Sequence, residues 1–189
     1  MSKTFVDVPL PGLEGFAREA LGVEPRRRVD PTLRPTEAAR ISFWRRVVKA
    51  PGDGCWIFTG AISSPDGYGR IAWRSGGRER TLSAHRFALE IARGRLDESV
   101  VVEHRCNEPL CVRVGIGHVI PSTQTENMRY ASACGRARGP GDGSVVVNRV
   151  ARSLAVRAAV RDGWDPDGYA AALAAGRTAL PQQSSLFDT

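Results

Sequence analysis

Four residues able to bind a metal ion lie within fifteen positions of one another, and this cluster constrains the fold more than any other feature of the sequence. The stretch holds two of the chain's four cysteines and two of its three histidines. Cys106, Cys111 and His118 are spaced so that one irregular loop could surround a tetrahedral ion with sulfur and nitrogen donors. His104 stands just before them. We expect the functional region to span residues 104 to 127.

Three ligands leave one position of a closed structural zinc site to fill. Cys55, just before a predicted strand, is the best candidate, because so distant a ligand would fasten the early sheet to the loop. His85 is the competitor. The alternative role for Cys55 is that of a small buried hydrophobe beside Trp56. Cys134 has no partner for a second site and is expected to be an ordinary thiol.

Length and charge limit the class of protein. The 189 residues suffice for one domain with a modest core and tails, and the net charge of +7, carried mostly by arginine, suits a nucleic-acid partner. The alternative is a chain that is basic in composition only. No apolar leader and no stretch of transmembrane length is present, so we expect no membrane partner and a cytoplasmic location, where cysteines serve as zinc ligands or thiols rather than disulfides.

Local patterns predict an α+β fold in the first part of the chain. Residues 1 to 35 are rich in proline and arginine and indicate an extended arm with at most one short helix, near Leu13 to Leu21. Thr36 is a helix N-cap, and a helix should run to about Lys49 with one apolar face, made of Ile41, Trp44, Val47 and Val48. Strands are predicted at 55–58 and 69–73 around an Asp-Gly turn, and near 80–82, followed by a helix capped by Ser83 and ended by Gly94.

The second part of the chain continues with a strand, a loop and a helix. Val100 to His104 is typical of a strand, and Thr123 with Glu126 forms a capping box that starts a helix. These elements complete a predicted core domain over residues 36 to 133. A flexible basic linker is expected at 134 to 144, a helical appendage of two helices at 145 to 178, and a disordered tail at 179 to 189.

Three residues could carry chemistry beside the loop from Cys106 to His118, which we call the zinc loop. His104 could accept a proton from water at neutral pH, and its alternative role is a further zinc ligand or a core histidine. Asn127, in the first turn of the predicted helix, could supply an amide oxygen to a magnesium ion that binds phosphate, and Glu103 could add a carboxylate. Their alternative roles are helix capping for Asn127 and a salt bridge for Glu103. This layout indicates a small metal-dependent nuclease.

The pattern resembles a known family. The segments that carry the resemblance, within residues 43 to 130, are Cys55-Trp56, Ala84-His85-Arg86, Val102 to Cys106, Cys111-Val112, His118-Val119 and Thr125-Glu126-Asn127. They are similar to the zinc-bearing HNH endonucleases related to His-Cys box homing enzymes. The family often has Cys-Val-Asn-Pro-x-His in the zinc loop, whereas this chain has a longer segment between Cys111 and His118, and Glu103 stands where many members have aspartate.

The resemblance implies a ββα-metal core, in which two strands and a helix hold one catalytic divalent ion, Mg²⁺ or Mn²⁺, while Zn²⁺ is structural. It implies that His104 is the water-activating base and that Asn127 and Glu103 bind the catalytic ion. The implied zinc ligands are Cys55, Cys106, Cys111 and His118. The implied reaction is hydrolysis of DNA phosphodiester bonds.

Arginines around this core are candidates for contact with DNA. Arg70 and Arg74 lie on a predicted strand, and Arg86, on the helix before the catalytic strand, is the preferred phosphate clamp and a candidate catalytic residue. The alternative is that these side chains only solvate the surface.

The C-terminus contains a segment that resembles the peptide with which bacterial proteins bind the replication sliding clamp. Gln183, Leu186 and Phe187 carry this likeness, and a chance match is the alternative.

The sequence therefore predicts an HNH-type DNA endonuclease. The leading alternative is a catalytically inactive, zinc-stabilised protein that binds DNA or the sliding clamp, and a third possibility is a structural zinc protein that binds only protein.

Overall fold

The structure is a computed structural model that describes residues 28–134, 146–174 and 177–178. These residues form a mixed α and β fold with five helices and several small sheets. The helices are Glu37–Trp44 (α1), Ala84–Arg93 (α2), Gln124–Ala133 (α3), Arg149–Val160 (α4) and Pro166–Ala174 (α5). None of the helices in the described ranges is long and apolar enough to cross a membrane.

The strands are short and belong to four sheets. They are Arg28–Val29 (β1), Val47–Lys49 (β2), Trp56–Phe58 (β3), Ala61–Ile62 (β4), Gly69–Ser75 (β5), Arg78–Ser83 (β6), Val101–His104 (β7), Val119–Ser122 (β8), Val146–Val147 (β9) and Arg177–Thr178 (β10). A four-stranded sheet has the order β1-β6-β5-β4, and the pairs β2 and β3, β7 and β8, and β9 and β10 each form a two-stranded sheet.

Several predicted element boundaries are confirmed by their caps. The Thr36 hydroxyl accepts a hydrogen bond from the Ala39 amide at the start of α1. The capping box is present at α3, where Thr123 and Glu126 bond each other's backbone amides. Gly94 ends α2 with a positive φ of 87°, a conformation that glycine adopts without strain. These ends could be predicted because capping depends on neighbouring residues alone.

The prediction for the first helix was wrong at its C-terminal end and in its buried face. The helix ends at Trp44, and Val47–Lys49 is a strand that pairs antiparallel with Trp56–Phe58. Ile41 and Trp44 are exposed, whereas Phe43 is fully buried. The physical reason is tertiary, because the Phe43 ring packs on the rings of Phe58 and Phe87.

The predicted hairpin around the Asp-Gly turn also has different partners. The strand Gly69–Ser75 pairs antiparallel with Ala61–Ile62 across this turn and with Arg78–Ser83 on its other side. The strand Trp56–Phe58 belongs to a separate sheet. The predicted pairing is wrong because a third segment, Ala61–Ile62, lies between the two apolar segments and is too short to give a strand pattern.

The C-terminal helices pack on the rest of the fold through a second hydrophobic cluster. Val156 and Val160 of α4 and Ala172 of α5 are buried with Ile57 of β3 and Leu110 of the zinc loop. Burial of such side chains contributes about 1.5 to 3 kcal/mol each. The helices predicted as an appendage thus cover one side of the sheet and loop that contain the candidate zinc ligands. Residues 1–27 of the predicted arm, with the helix predicted near Leu13 to Leu21, residues 135–144 of the predicted linker and the predicted tail at 179–189 lie outside the described residues.

A buried ion pair joins the four-stranded sheet to α2. Arg80 donates to both carboxylate oxygens of Glu90, at 2.8 and 3.0 Å, and both side chains are less than a tenth exposed. Arg80 also donates to the Leu33 carbonyl and lies over the Trp73 ring. The bidentate geometry satisfies two charges that would otherwise be costly to bury.

We predict that Glu90→Gln lowers the free energy of unfolding by about 3 to 5 kcal/mol, because it leaves the Arg80 charge buried without its counterion. The matched control is Glu79→Gln, which breaks the solvent-exposed pair with Arg74 and should cost less than about 1 kcal/mol. Urea unfolding of the three proteins measures both values. Equal losses in the two variants would contradict the prediction.

Candidate metal centre and active site

The zinc loop is held against the first part of the chain by backbone hydrogen bonds. Phe58 N donates to Leu110 O at 2.9 Å, and Val112 N donates to Trp56 O at 2.8 Å. Ile57 and Cys111 form an antiparallel bridge between these two bonds. The loop thus pairs with β3 through an isolated bridge, two residues after Cys55. This pairing places the distant cysteine beside the other candidate ligands.

The structure brings the four predicted zinc ligands together. The ligand atoms of Cys55, Cys106, Cys111 and His118 all lie within 4.8 Å of one another. His118 Nδ1 is 3.7 Å from Cys55 Sγ and 3.6 Å from Cys111 Sγ. Tetrahedral zinc with its usual bonds holds a sulfur and a nitrogen ligand about 3.5 Å apart. The cluster therefore fits a Cys3His zinc site, and His85, the competing ligand, is not part of it.

The His118 ring is oriented for zinc by its other nitrogen. Nε2 donates a hydrogen bond to the Asp53 carbonyl at 2.9 Å, because a carbonyl can only accept. In a neutral imidazole the lone pair is then on Nδ1, the atom that faces the sulfurs. Such a second hydrogen bond to a metal-binding histidine fixes its tautomer before the ion arrives.

The three thiols share protons unevenly without a cation. Hydrogen bonds from Cys111 and Cys55 lower the pKa of Cys106, and the same bonds raise the pKa of Cys55, to about 12, and that of Cys111. One thiolate is thus stabilised at the expense of the other two. A divalent cation relieves this competition, since it binds all three sulfurs as thiolates.

We predict that Cys111→Ser reduces the zinc content from about one ion per chain to nearly none and lowers the melting temperature, because the loop loses a ligand and its bridge to β3 depends on the closed site. Cys134→Ser changes the exposed cysteine outside the cluster and should leave both quantities unchanged. Metal analysis and thermal unfolding of the purified proteins measure the effect. Full zinc content in Cys111→Ser would exclude this ligand set.

His104 lies at the end of β7 in a buried position. Its Nε2 donates to the Cys111 carbonyl at 2.9 Å, which places the lone pair of the neutral ring on Nδ1. The imidazole is therefore attached to the backbone of a zinc ligand rather than to the metal. His104 is not part of the metal cluster, so its role as a further zinc ligand is wrong and its role as a base stays a prediction.

Glu103 is nearly fully buried on the same strand. Its carboxylate is in contact with the Arg105 guanidinium, yet neither carboxylate oxygen has a hydrogen-bond partner among the described residues. The ion pair with Arg105 is the alternative role expected for Glu103, and its role in binding a catalytic ion stays a prediction.

Asn127 lies in the first turn of α3, which packs beside β7. Its backbone amide donates to the Thr123 carbonyl, and the residue is half-buried. β7, β8 and α3 thus form a hairpin followed by a helix, with Glu103 and His104 on the strand that the helix adjoins.

Two aromatic residues next to His104 were not assigned to the active site from the sequence. The Tyr68 ring stacks on His104 with a centroid distance of 5.7 Å and an interplanar angle of 11°. The His85 ring meets His104 edge to face at 4.4 Å. The Gly-Tyr-Gly segment at 67–69 and its position before a hairpin were the only sequence signals of this contact.

We predict that His85 makes the protein less stable at acid pH. Burial, and then the neighbouring His104, Arg70 and Arg86, lower the pKa of His85 well below 6.5. At acid pH the unfolded chain binds a proton at His85 and the folded chain does not. The free energy of unfolding therefore keeps its full value above the pKa that His85 has in the unfolded chain. It falls by up to about 1.4 kcal/mol for each pH unit below that pKa.

The comparison of wild type with His85→Asn isolates this effect, since zinc loss at acid pH acts on both proteins. The difference in their unfolding free energies, measured by urea titration at several pH values, should shrink or change sign as the pH falls below about 6.5. A constant difference would contradict the buried neutral state of His85.

The three candidate DNA-binding arginines have different surroundings. Arg70 and Arg74 are partly exposed and pair with Asp66 and Glu79 respectively. Arg86 donates to the carbonyls of Val100 and Asp97, at 2.8 and 2.7 Å, and lies near Glu90. Its guanidinium fastens the segment before β7 to α2, so the contact with phosphate stays a prediction. The clamp-binding segment is outside the described residues.

A second feature missed in the sequence is the network around Glu108, inside the zinc loop. This buried carboxylate accepts from the Leu110 amide at 3.1 Å and from Arg152 of α4 at 3.1 Å, and Tyr169 of α5 lies 3.5 Å away. Burial raises the pKa of Glu108. The C-terminal helices therefore hold the loop with a charged contact as well as an apolar one.

Comparison with known proteins finds a partial structural likeness. No protein-family model matches the chain, and no curated protein matches it. Among solved structures, that of the HNH homing endonuclease I-HmuI, which concerns DNA binding and cleavage, is similar over 50% of this chain and 52% of that one, with 22% identity and a TM-score of 0.34. The chain thus spans about half the length of that enzyme, and so partial a likeness does not show membership of its family.

Proposed function

We propose that the protein is a metal-dependent DNA endonuclease of the HNH type, in which His104 is the general base. The observation that carries this proposal is the hydrogen bond from His104 Nε2 to the Cys111 carbonyl beside the zinc cluster. It fixes the tautomer in which Nδ1 accepts a proton. A base of this kind activates water for attack on a phosphodiester.

The zinc cluster serves the reaction indirectly. Its four residues would close the coordination shell of a zinc ion, so no position would be left there for water or substrate. The cluster instead fixes the loop whose carbonyl orients His104. A structural ion and a separate catalytic ion are therefore expected.

Glu103 and Asn127 would hold the catalytic ion, Mg²⁺ or Mn²⁺. Glu103 Oε1 pairs with Arg105, whereas Oε2 has no hydrogen-bond partner among the described residues, and Asn127 lies on the helix beside this strand. A carboxylate and an amide oxygen are donors that a hard cation takes. When bound, such an ion stabilises negative charge on the phosphate and the leaving oxygen. Within the chain, His104 takes the proton from water, and the buried setting of the strand limits competing solvent. The hairpin β7–β8 with α3 would be the ββα core.

The substrate class follows from charge. The chain carries a net charge of +7, and Arg70 and Arg74 on one face of β5 would reach phosphates. Their carboxylate partners reduce the local charge in the absence of DNA.

Docking of Gln183, Leu186 and Phe187 on a sliding clamp stays a separate prediction.

We predict that purified protein nicks or cuts plasmid DNA with Mg²⁺ or Mn²⁺ and not with EDTA. His104→Ala should lower the cleavage rate by about 10²- to 10⁴-fold, the usual contribution of a general base. Asn127→Ala should raise the metal concentration needed for half-maximal cleavage. The matched control is Gln124→Ala, an exposed position in the same turn of α3.

Zinc content and DNA affinity of each variant must equal those of the wild type for this test to be valid. Loss of cleavage in the two site variants alone would support the nuclease assignment. Salt-dependent DNA binding with bound zinc and no cleavage in any protein would favour the alternative, a zinc-stabilised protein that binds DNA without catalysis.

A further inference from the structure

Three rings form a compact cluster at the proposed base. Tyr68 lies nearly parallel to the His104 imidazole, and His85 contacts both other rings, with centroid distances of 5.1 Å to Tyr68 and 4.4 Å to His104. The Tyr68 residue is only half-buried, whereas both histidines are buried. Tyr68 thus lies on the outer side of the base and His85 on the inner side.

The backbone on both sides of Tyr68 packs closely against its neighbours at Gly67 and Gly69. A Cβ atom on Gly67 would lie 2.7 Å from the Arg149 carbonyl oxygen of α4, and one on Gly69 would lie 2.7 Å from the Phe58 ring. Gly67 also has a φ of 73°, which favours glycine. Close approach on both sides therefore leaves the segment little freedom.

The turn before Tyr68 is closed by its own polar groups. The Asp66 carboxylate accepts from the Tyr68 amide and the Ser63 hydroxyl, and the Ser63 amide donates to the Tyr68 carbonyl. The residue is consequently fixed in the backbone before its side chain makes any contact. A ring that presses on His104 from so fixed a position can restrict the imidazole.

One hydrogen bond does not determine the orientation of an imidazole. The covalent link at Cγ and the bond from Nε2 to the Cys111 carbonyl leave the His104 ring a rocking motion about its Cβ–Cγ bond. The stacked Tyr68 ring and the edge contact with His85 limit this rocking of the ring plane. Nδ1 then points in one direction.

We propose that Tyr68 is a positioning residue for the His104 base, acting through its ring face and not through its hydroxyl. This inference rests on the proposed nuclease function. Tyr68 sets the direction in which Nδ1 of His104 accepts a proton. A displacement of about 1 Å in such a group can cost about 100-fold in rate.

The test compares Tyr68→Phe and Tyr68→Leu in single-turnover cleavage of plasmid DNA by the full chain. The phenylalanine variant keeps the ring and should remain within about 3-fold of the wild type, whereas the leucine variant should lose about 100-fold with unchanged DNA affinity. Trp44→Leu is the control for loss of an aromatic ring, since Trp44 contacts Phe43 and Trp56 and no imidazole.

A double-mutant cycle with His104→Ala separates positioning from a general structural role. If Tyr68 acts through His104, the leucine change should alter the residual rate of His104→Ala by less than about 2-fold. An equal loss in both backgrounds would overturn the proposal, as would a Tyr68→Phe variant as slow as Tyr68→Leu.

Nitrogen NMR of the histidine rings in zinc-loaded protein gives a readout that needs no cleavage. The wild type and Tyr68→Phe should show His104 in the single tautomer with the proton on Nε2, and Tyr68→Leu should show a mixture or exchange broadening. An unchanged His104 signal in Tyr68→Leu would overturn the proposal. If the wild type never cleaves DNA but the Tyr68→Leu spectrum changes in this way, the nuclease function is refuted and the contact between Tyr68 and His104 is supported.

Discussion

Cys111 connects the zinc cluster, the sheet and the proposed base through three separate groups. Its sulfur lies in the metal cluster, its backbone bridges Ile57 of β3, and its carbonyl accepts the hydrogen bond from His104. A zinc ion bound to this cluster would hold all three in one geometry, because the candidate ligands come from both ends of the loop and from the segment just before β3. A change that opens the cluster would therefore release the imidazole as well as the loop. Structure and proposed chemistry depend on the same few atoms.

The C-terminal helices extend this constraint to the other side of the loop. Arg152 and Tyr169 reach the buried Glu108 between two zinc ligands, while Leu110 packs among apolar residues of both helices. The Leu110 amide and the Arg152 guanidinium stabilise a carboxylate that burial alone would disfavour. The zinc loop is thus enclosed by β3 on one side and by helices on the other. This enclosure explains how a loop with little regular structure can orient a buried side chain.

Much of the candidate site could be predicted from the sequence. Residue type and spacing indicated the four zinc ligands, and the structure brings them together, including the distant Cys55. The capping box placed Asn127 in a first turn, as the structure has it. In contrast, no local sequence pattern indicated that Tyr68 stacks on His104 or that the Arg86 guanidinium donates its hydrogen bonds to backbone carbonyls. Those contacts join segments distant in sequence, and no periodic pattern records them.

The sequence by itself determined the features that depend on near neighbours or on the chemistry of single residues. Among these are the caps of α1 and α3, the turn at Gly94 and the choice of soft ligands for zinc. Only the tertiary structure decided that Val47–Lys49 is a strand, because its partner at Trp56–Phe58 supplies the hydrogen bonds that a longer helix would have made internally. The same holds for Phe43, whose burial follows from two other rings and not from helical spacing. Long-range packing outweighs local preference at these sites, since burial is worth more than the small differences in intrinsic propensity.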